Sequence, residues 1–435
     1  MRRHLPDDHA LQTKLSPNSF GAYFLVLLLL MNSSQVFLAN YQDELLAVST
    51  VIAMLAMYLY RKIPSPRYLL FLFSLLLWVG YISIQYEVWN LNTAIGFFCR
   101  FFLAYAIVAV LRDKFLYVFV DVIYRLAIIS LLFYFVGLVF PAVMQQLHLF
   151  FNLMPDFFIV DLGEYRGWIR SNFLFYTFSV QRLEQNHGFM WEPTAFAVVV
   201  MLAMMLHLGM NKFKLDKRFS VLLTALITTF STTGILAFSI VITFYLLNNN
   251  ARYKKIRSYY VPLGGVFLII VAIFISQMEI FGGKVQSEIE RWDEVAIKTD
   301  LTMSGNSRLS SFIFDVSDWI DHPLLGIGIF EENRYRGVQQ LGSVNGIGDT
   351  LVRFGAVFSL VFLFNFMRSF KLFCNTYRIK GFGLFVLLIM IFSWSERLTI
   401  LPLFLAFQFY YLPFYSKKKI SIRHESNCNL RRRFI

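Results

Sequence analysis

Long apolar stretches, each near the length of a membrane-crossing helix, are joined by connections in which every second one is rich in Lys and Arg; few folds are open to such a chain. A hydrocarbon core about 30 Å thick takes roughly 20 apolar residues as helix, because unpaired backbone groups cannot be left in lipid. Such runs span 20 to 38, 45 to 60, 68 to 86, 91 to 111, 115 to 140, 189 to 210, 219 to 230, 234 to 247, 259 to 278, 350 to 367, 382 to 394 and 398 to 415. Only 15% of the residues are charged and 57% are hydrophobic, against roughly 25% charged in an average soluble protein. The expected fold is therefore all-α: a polytopic membrane helical bundle of about twelve transmembrane helices.

Lys and Arg prefer the cytoplasmic ends of spans, which gives the list an independent test. The segments 1 to 19, 61 to 67, 112 to 114, 211 to 218, 248 to 258, 368 to 381 and 416 to 435 hold 27 of the 40 basic residues. The short connections between them hold only Arg397. This alternation puts both termini in the cytoplasm. It also requires an even number of crossings in 219 to 247 and again in 382 to 415, with turns at Ser231, Thr232, Thr233 and Gly234 and at Ser395, Glu396 and Arg397. Arg2, Arg3 and Lys14 precede the run 20 to 38, which is too long for a secretory core, lacks a small-residue cleavage site and reads as a retained first span. The net charge of +13 is dispersed among these clusters, which excludes a nucleic-acid patch. Cys99, Cys374 and Cys428 have no spacing that suits a metal site or a disulfide framework.

The organisation that follows is a five-span bundle at 1 to 140, a large outward loop at 141 to 188 and central spans at 189 to 278. A second large outward loop at 279 to 349, C-terminal spans at 350 to 415 and a basic tail at 416 to 435 complete it. The two long loops, in which short amphipathic helices are expected, are where function is most often carried.

The first loop holds Arg166, Trp168 and Arg170, a grouping suited to a sugar ring and an anion but equally to solvated loop charge. It ends with Arg182, Glu184, His187 and Glu192 within eleven residues of the mouth of a span, where ionisable groups are costly unless used. The plain structural reading of Glu192 and Pro193 is a capped helix start. In the second loop, Leu309, Phe312, Ile313, Val316 and Ile320 recur at helical spacing, and Arg308, Ser311, Asp315, Asp318 and His322 follow the opposite stripe. A surface helix lying on the bilayer, polar stripe to solvent, is the plain reading. Pro323 should stop that helix, and Gly326 and Gly328 let the chain turn back towards the membrane. Asp349 with Arg353, and Asp121 with Arg125, have the four-residue spacing of self-neutralising pairs, whereas Arg100 needs an anion from elsewhere. Nucleotide-cradling glycine loops, zinc spacings and serine-triad motifs do not occur.

These residues resemble the O-antigen polymerase and O-antigen ligase superfamily of bacterial inner-membrane glycosyltransferases. The resemblance rests on Arg182 with Gly188, Glu192 and Pro193, on Phe230 to Gly234 as a turn between short helices, and on Ser307 and Arg308 followed by Asp321 to Gly328. It implies transfer of a glycan from an undecaprenyl-pyrophosphate carrier to a carrier-linked acceptor at the periplasmic face, without metal or other cofactor. Besides the bilayer and the lipid-linked oligosaccharide, a chain-length regulator and a flippase become candidate partners. Guanidinium groups can take the developing pyrophosphate charge, with Arg182 and Arg308 the leading choices, Arg166, Arg170 and Arg353 behind them, and Asn345 a polar contact. A base is needed for the acceptor hydroxyl; Glu192 and His187 lead, then Asp315 and Asp318. Trp168, Trp191 and Trp292 could stack on sugars. The ligase branch typically has a His-Asn pair where this chain has Val344 and Asn345, which favours polymerase. A flippase would have short loops and repeat symmetry, and neither is present here.

Overall fold

Uninterrupted Leu, Phe, Ile and Val become helix wherever proline is kept out of the interior, and in this chain Pro66, Pro141, Pro193 and Pro402 each occupy a first helical turn, where the missing N–H costs nothing. The computed structural model describes residues 19–161, 169–173, 175–180, 183–249, 308–330 and 345–414. Its helices are α1 (Ser19–Ser34), α2 (Gln42–Leu59), α3 (Pro66–Tyr86), α4 (Leu91–Leu111), α5 (Lys114–Val139) and α6 (Pro141–Phe151). They continue with α7 (Pro193–Met210), α8 (Lys217–Ile227), α9 (Thr232–Asn249), α10 (Arg308–Asp321), α11 (Gly346–Tyr377), α12 (Phe382–Ser395) and α13 (Pro402–Phe409). Among the described residues six of them, α2, α3, α4, α5, α7 and α11, are long and apolar enough to cross a membrane, and α1, α9 and α12 are shorter apolar helices. The chain is a polytopic all-α membrane protein. The expected span 259 to 278, the basic tail and much of the second loop lie outside the described residues.

Helix α7 is apolar on every side, which suits only a helix surrounded by others. It is packed by α5, α8, α9 and α11, and nearly all of it is buried. By contrast α2 and α3 turn Val51, Leu55, Tyr58, Leu70, Phe73 and Leu77 outward, as lipid-facing helices do. In the first half of α5, Asp121 is buried and takes Tyr23 Oη at 2.7 Å, Arg125 Nε at 3.0 Å and Arg218 Nη2 at 2.8 Å. The expected Asp121–Arg125 pair is thus part of a larger cluster that ties α1 and α8 to α5.

Three features depart from the expected organisation. The first loop contains not only helix α6 but a three-stranded antiparallel sheet, β1 (Ile159–Asp161), β2 (Ile169–Phe173) and β3 (Tyr176–Phe178). Its aromatic residues bury against α5 and α6, with Tyr134, Met144, Phe151, Tyr176 and Phe178 forming a separate small core. Second, the span 350 to 367 belongs to a longer helix broken at Gly355, whose φ of 62° is left-handed. Third, the run 398 to 415 begins with the buried eight-residue helix α13 rather than with one continuous span. The Glu396–Leu401 connection before α13 and the turn after it are themselves buried in part, so this stretch owes its apolarity to packing inside protein.

Candidate functional site

The break in α11 is filled by the chain that leaves α10. Pro323 follows the end of α10, and the turn it begins lies alongside the break: Ile327 N and Gly328 N donate to the carbonyls of Val352 and Arg353, while Ala356 N and Val357 N donate to those of Pro323 and Leu324. Non-helical backbone at membrane depth is tolerated only when protein satisfies it in this way. A side chain at Gly355 would overlap the Leu324 carbonyl, and one at Gly326 the carbonyl of Val352. Trp78 of α3 closes the seat by donating to Leu325 O at 2.8 Å.

This seat decides which face of α10 is buried. Ser311 and Asp315, on the polar stripe, are 3% and 2% exposed, whereas Ile320 of the apolar stripe is 64% exposed. The helix therefore differs from a surface helix with a solvated polar face: Ser311 and Asp315 of its polar stripe meet protein, and Ile320 of its apolar stripe faces out. Asp315 lies so close to Gly348 of α11 that a Cβ there would overlap its carboxylate. Asp318 stays exposed.

Arg308 opens α10. Its Nε donates to Ser395 O at 3.1 Å, and its Nη2 is 3.7 Å from Glu396 Oε1. Ser395 O is one of the last-turn carbonyls of α12, which lack a helical partner. The N-terminus of α11 abuts the same place, since a Cβ at Gly346 would overlap Glu396 O. Asn345 caps α11, its Oδ1 accepting from Ile347 N and Gly348 N at 3.0 Å each. One turn on, Arg353 Nε is 2.9 Å from Asp349 Oδ1, and its Nη1 donates to Ile329 O at 3.2 Å.

A second group stands at the start of α7. Arg170, on β2 and 2% exposed, has Nη2 at 3.6 Å from Glu192 Oε1 and Nη1 bonded to Trp191 O. Glu192 occupies the N-cap position of α7, with Pro193 in the first turn, and makes no side-chain hydrogen bond to the amides of that turn. The preceding turn is fixed by Asn186, which bonds Ser130, Thr228 and its own Gly188 N. Gly188 has φ of 54° and faces the Phe196 ring, which leaves no room for a side chain. His187 is buried within this turn, 2% exposed. Arg166, Trp168, Arg182 and Trp292 lie outside the described residues.

The turn between α8 and α9 links the two groups. Ser231 Oγ is 3.3 Å from Thr194 Oγ1 on α7, and Thr233 Oγ1 is 2.6 Å from Ser395 Oγ on α12. The two turns that the charge alternation puts on one side, at 231 to 234 and 395 to 397, are thus in direct contact. Glu396, Ser395 and Thr233 had no role in the sequence reading as site residues. The signal that could have found Glu396 is an ionisable residue in a tight turn between two short apolar helices. Together the two groups make a polar seam with two arginines, Arg170 and Arg308, each held beside one carboxylate. Such a seam can bind an anion, orient a hydroxyl and accept a proton. Among the described residues no three His, Cys, Asp or Glu side chains converge so as to hold a metal ion.

A family model described as O-antigen ligase matches residues 219–350, less than a third of the chain. The matched segment runs from α8 through the Ser231 turn and Arg308 to Asn345 and the N-terminus of α11. The match is consistent with the O-antigen polymerase and ligase superfamily and supports a role in polysaccharide assembly at a membrane. No curated protein matches the chain significantly.

Proposed function

We propose that this protein is a polysaccharide polymerase of the bacterial inner membrane. It transfers a glycan from a polyprenyl-pyrophosphate carrier to a sugar hydroxyl of a second carrier-linked unit at the periplasmic face. The observation that carries the reading is Arg308, inside the segment matched by the family model and held at one end of the bundle by Ser395 O and Glu396. In the reaction the bond between the donor sugar C1 and the pyrophosphate oxygen breaks as the acceptor oxygen bonds to C1. Charge moves onto the departing pyrophosphate, where a guanidinium fork is worth most because the charge develops only in the transition state. Arg308 takes that part, with Arg182 and Arg166 assigned beside it from the sequence.

The acceptor proton goes to Glu192. Of the groups proposed as base it stands at the mouth of α7, partly exposed and beside Arg170, whereas Asp315 and His187 are buried. Asp318, exposed on α10, is the second choice. Arg170 keeps Glu192 turned away from the cap geometry and towards the seam. Asn345 acts through the N-terminus of α11, and Arg353 through its tie to Ile329.

The test is reconstitution with a polyprenyl-pyrophosphate-linked repeat. Wild-type protein should make long chains, and Arg308→Ala should leave single repeats on the carrier. Loss of carrier-linked repeats from the outer leaflet in cells would replace this reading with a flippase. A second reading, ligase, is favoured by the description of the matching family model. It predicts normal chain growth but no transfer of finished chains to the lipid A acceptor when Arg308 is changed.

A further inference from the structure

Glu396 is a carboxylate in an uncomfortable place. It follows the last residue of α12, where the helix dipole and the unpaired carbonyls disfavour negative charge. It is also 7% exposed, and burying a carboxylate is costly unless a cation answers it. Arg308 supplies a cation, with Nη2 at 3.7 Å, and the neighbouring Ser395 carbonyl takes Nε of the same guanidinium at 3.1 Å. Thus one tight turn presents a neutral carbonyl and a carboxylate, side by side, to the Nε–Nη2 edge of one guanidinium. The turn itself is immobilised: Thr233 Oγ1 bonds Ser395 Oγ at 2.6 Å, Gly346 leaves no space against the Glu396 carbonyl, and Thr350 Oγ1 bonds Thr399 Oγ1 at 2.9 Å.

Arginine side chains have several rotatable bonds and lose considerable entropy when held. Arg308 sits at the first turn of α10, with its side chain about a third exposed, so its own helix does not lock it. We infer that Glu396 is a positioning residue for Arg308, holding the guanidinium plane in the orientation in which it meets the departing pyrophosphate. This role rests on the glycosyl-transfer reading above. Glu396 need not touch substrate; it acts through Arg308.

The experiment is a two-residue cycle in purified, lipid-reconstituted full-length protein, using a defined carrier-linked repeat. Glu396→Gln keeps size and one acceptor but removes the charge, and Arg308→Lys keeps charge but loses the planar fork. Glu396→Gln should lower kcat on the order of tenfold to a hundredfold, the scale of a misplaced catalytic group, with KM for the acceptor little changed. Glu396→Asp should recover part of the loss. In the Arg308→Lys background Glu396→Gln should cost less than about threefold, since residues acting as a unit are non-additive. Losses that multiply across the cycle overturn the positioning role alone, as does a Glu396→Gln protein whose kcat per folded molecule is unchanged, folded protein being counted by thermal unfolding. No transfer by the wild-type protein at all overturns the functional reading and this role with it.

Discussion

Two carboxylates at helix starts behave in opposite ways, and the contrast separates structure from chemistry residue by residue. Asp216 caps α8: its Oδ1 accepts from Phe219 N at 3.0 Å and meets His207 Nε2 at 2.8 Å, and Asn211 donates to Oδ2 at 3.0 Å. Burial alone would raise its pKa, but the Phe219 amide and His207 outweigh this and hold it below the usual carboxylate value. A carboxylate with a lowered folded pKa contributes stability above its unfolded pKa and loses it as pH falls through the folded one. Asp216→Asn should therefore flatten the acid limb of a thermal-stability profile below about pH 4, and Asp216→Ala should cost about 1 kcal/mol. Neither change should alter chain length of the product. Glu192, which caps nothing and faces Arg170, should do the reverse. Glu192→Gln is expected to leave the unfolding midpoint nearly unchanged while cutting turnover by about 10²-fold or more in the reconstituted assay. A Glu192→Gln protein with full turnover would pass the base to Asp318. From the sequence these two residues look alike, each an acid before an apolar run; only the partner 22 residues earlier, Arg170, tells them apart.

At the scale of elements, the pairing of the 323 to 328 segment with the broken α11 governs where Arg308, Asp315 and Arg353 stand. Gly355→Ala places a Cβ on a left-handed backbone against Leu324 O, and strain of that kind costs about 1–3 kcal/mol. The expected result is a lower unfolding midpoint and reduced activity, with Gly383→Ala, whose Cβ would meet open space, as a silent control in α12. Equal behaviour of the two variants would remove the break from its positioning role. Part of this unit was legible. Pro323, Gly326 and Gly328 announced a stop and a return towards the membrane, and the two stripes of α10 announced a helix. The break itself was not, because a single Gly inside an apolar run is common in membrane helices and its φ depends on a segment about 30 residues upstream. Nor was the direction of α10, since amphipathic spacing says that two faces differ but not which one meets protein. The sheet of the first loop was hidden as well: β1 to β3 are short, and their burial against α5 and α6 comes from tertiary packing.

Among the described residues two groups of paired charges stand apart. One gathers Arg170, Glu192, Arg308 and Glu396, and the other gathers Asp121, Arg125, Arg218, His207 and Asp216. Asn248 of α9 bonds both backbone groups of Lys380 between α11 and α12, so the second group continues across the bundle. The alternation of basic connections follows from charge alone and holds without any knowledge of packing, which is why the helix order and the grouping of turns were readable while the contacts within each group were not. It assigns the seam to the outside and the Asp121 cluster to the cytoplasm. Glu184 is exposed in the first loop and Lys214 is exposed between α7 and α8, so each can carry a reporter cysteine once Cys99, Cys374 and Cys428 are replaced by serine. A membrane-impermeant maleimide should label Glu184→Cys in intact spheroplasts and Lys214→Cys only after lysis. The opposite pattern would turn the molecule over, set the basic connections on the outside against the positive-inside rule, and leave a periplasmic donor without a site. Labelling of both in intact cells would mean that the crossings between 184 and 214 are miscounted, and the fault would then lie in α7, whose start carries Glu192 and Thr194 of the seam.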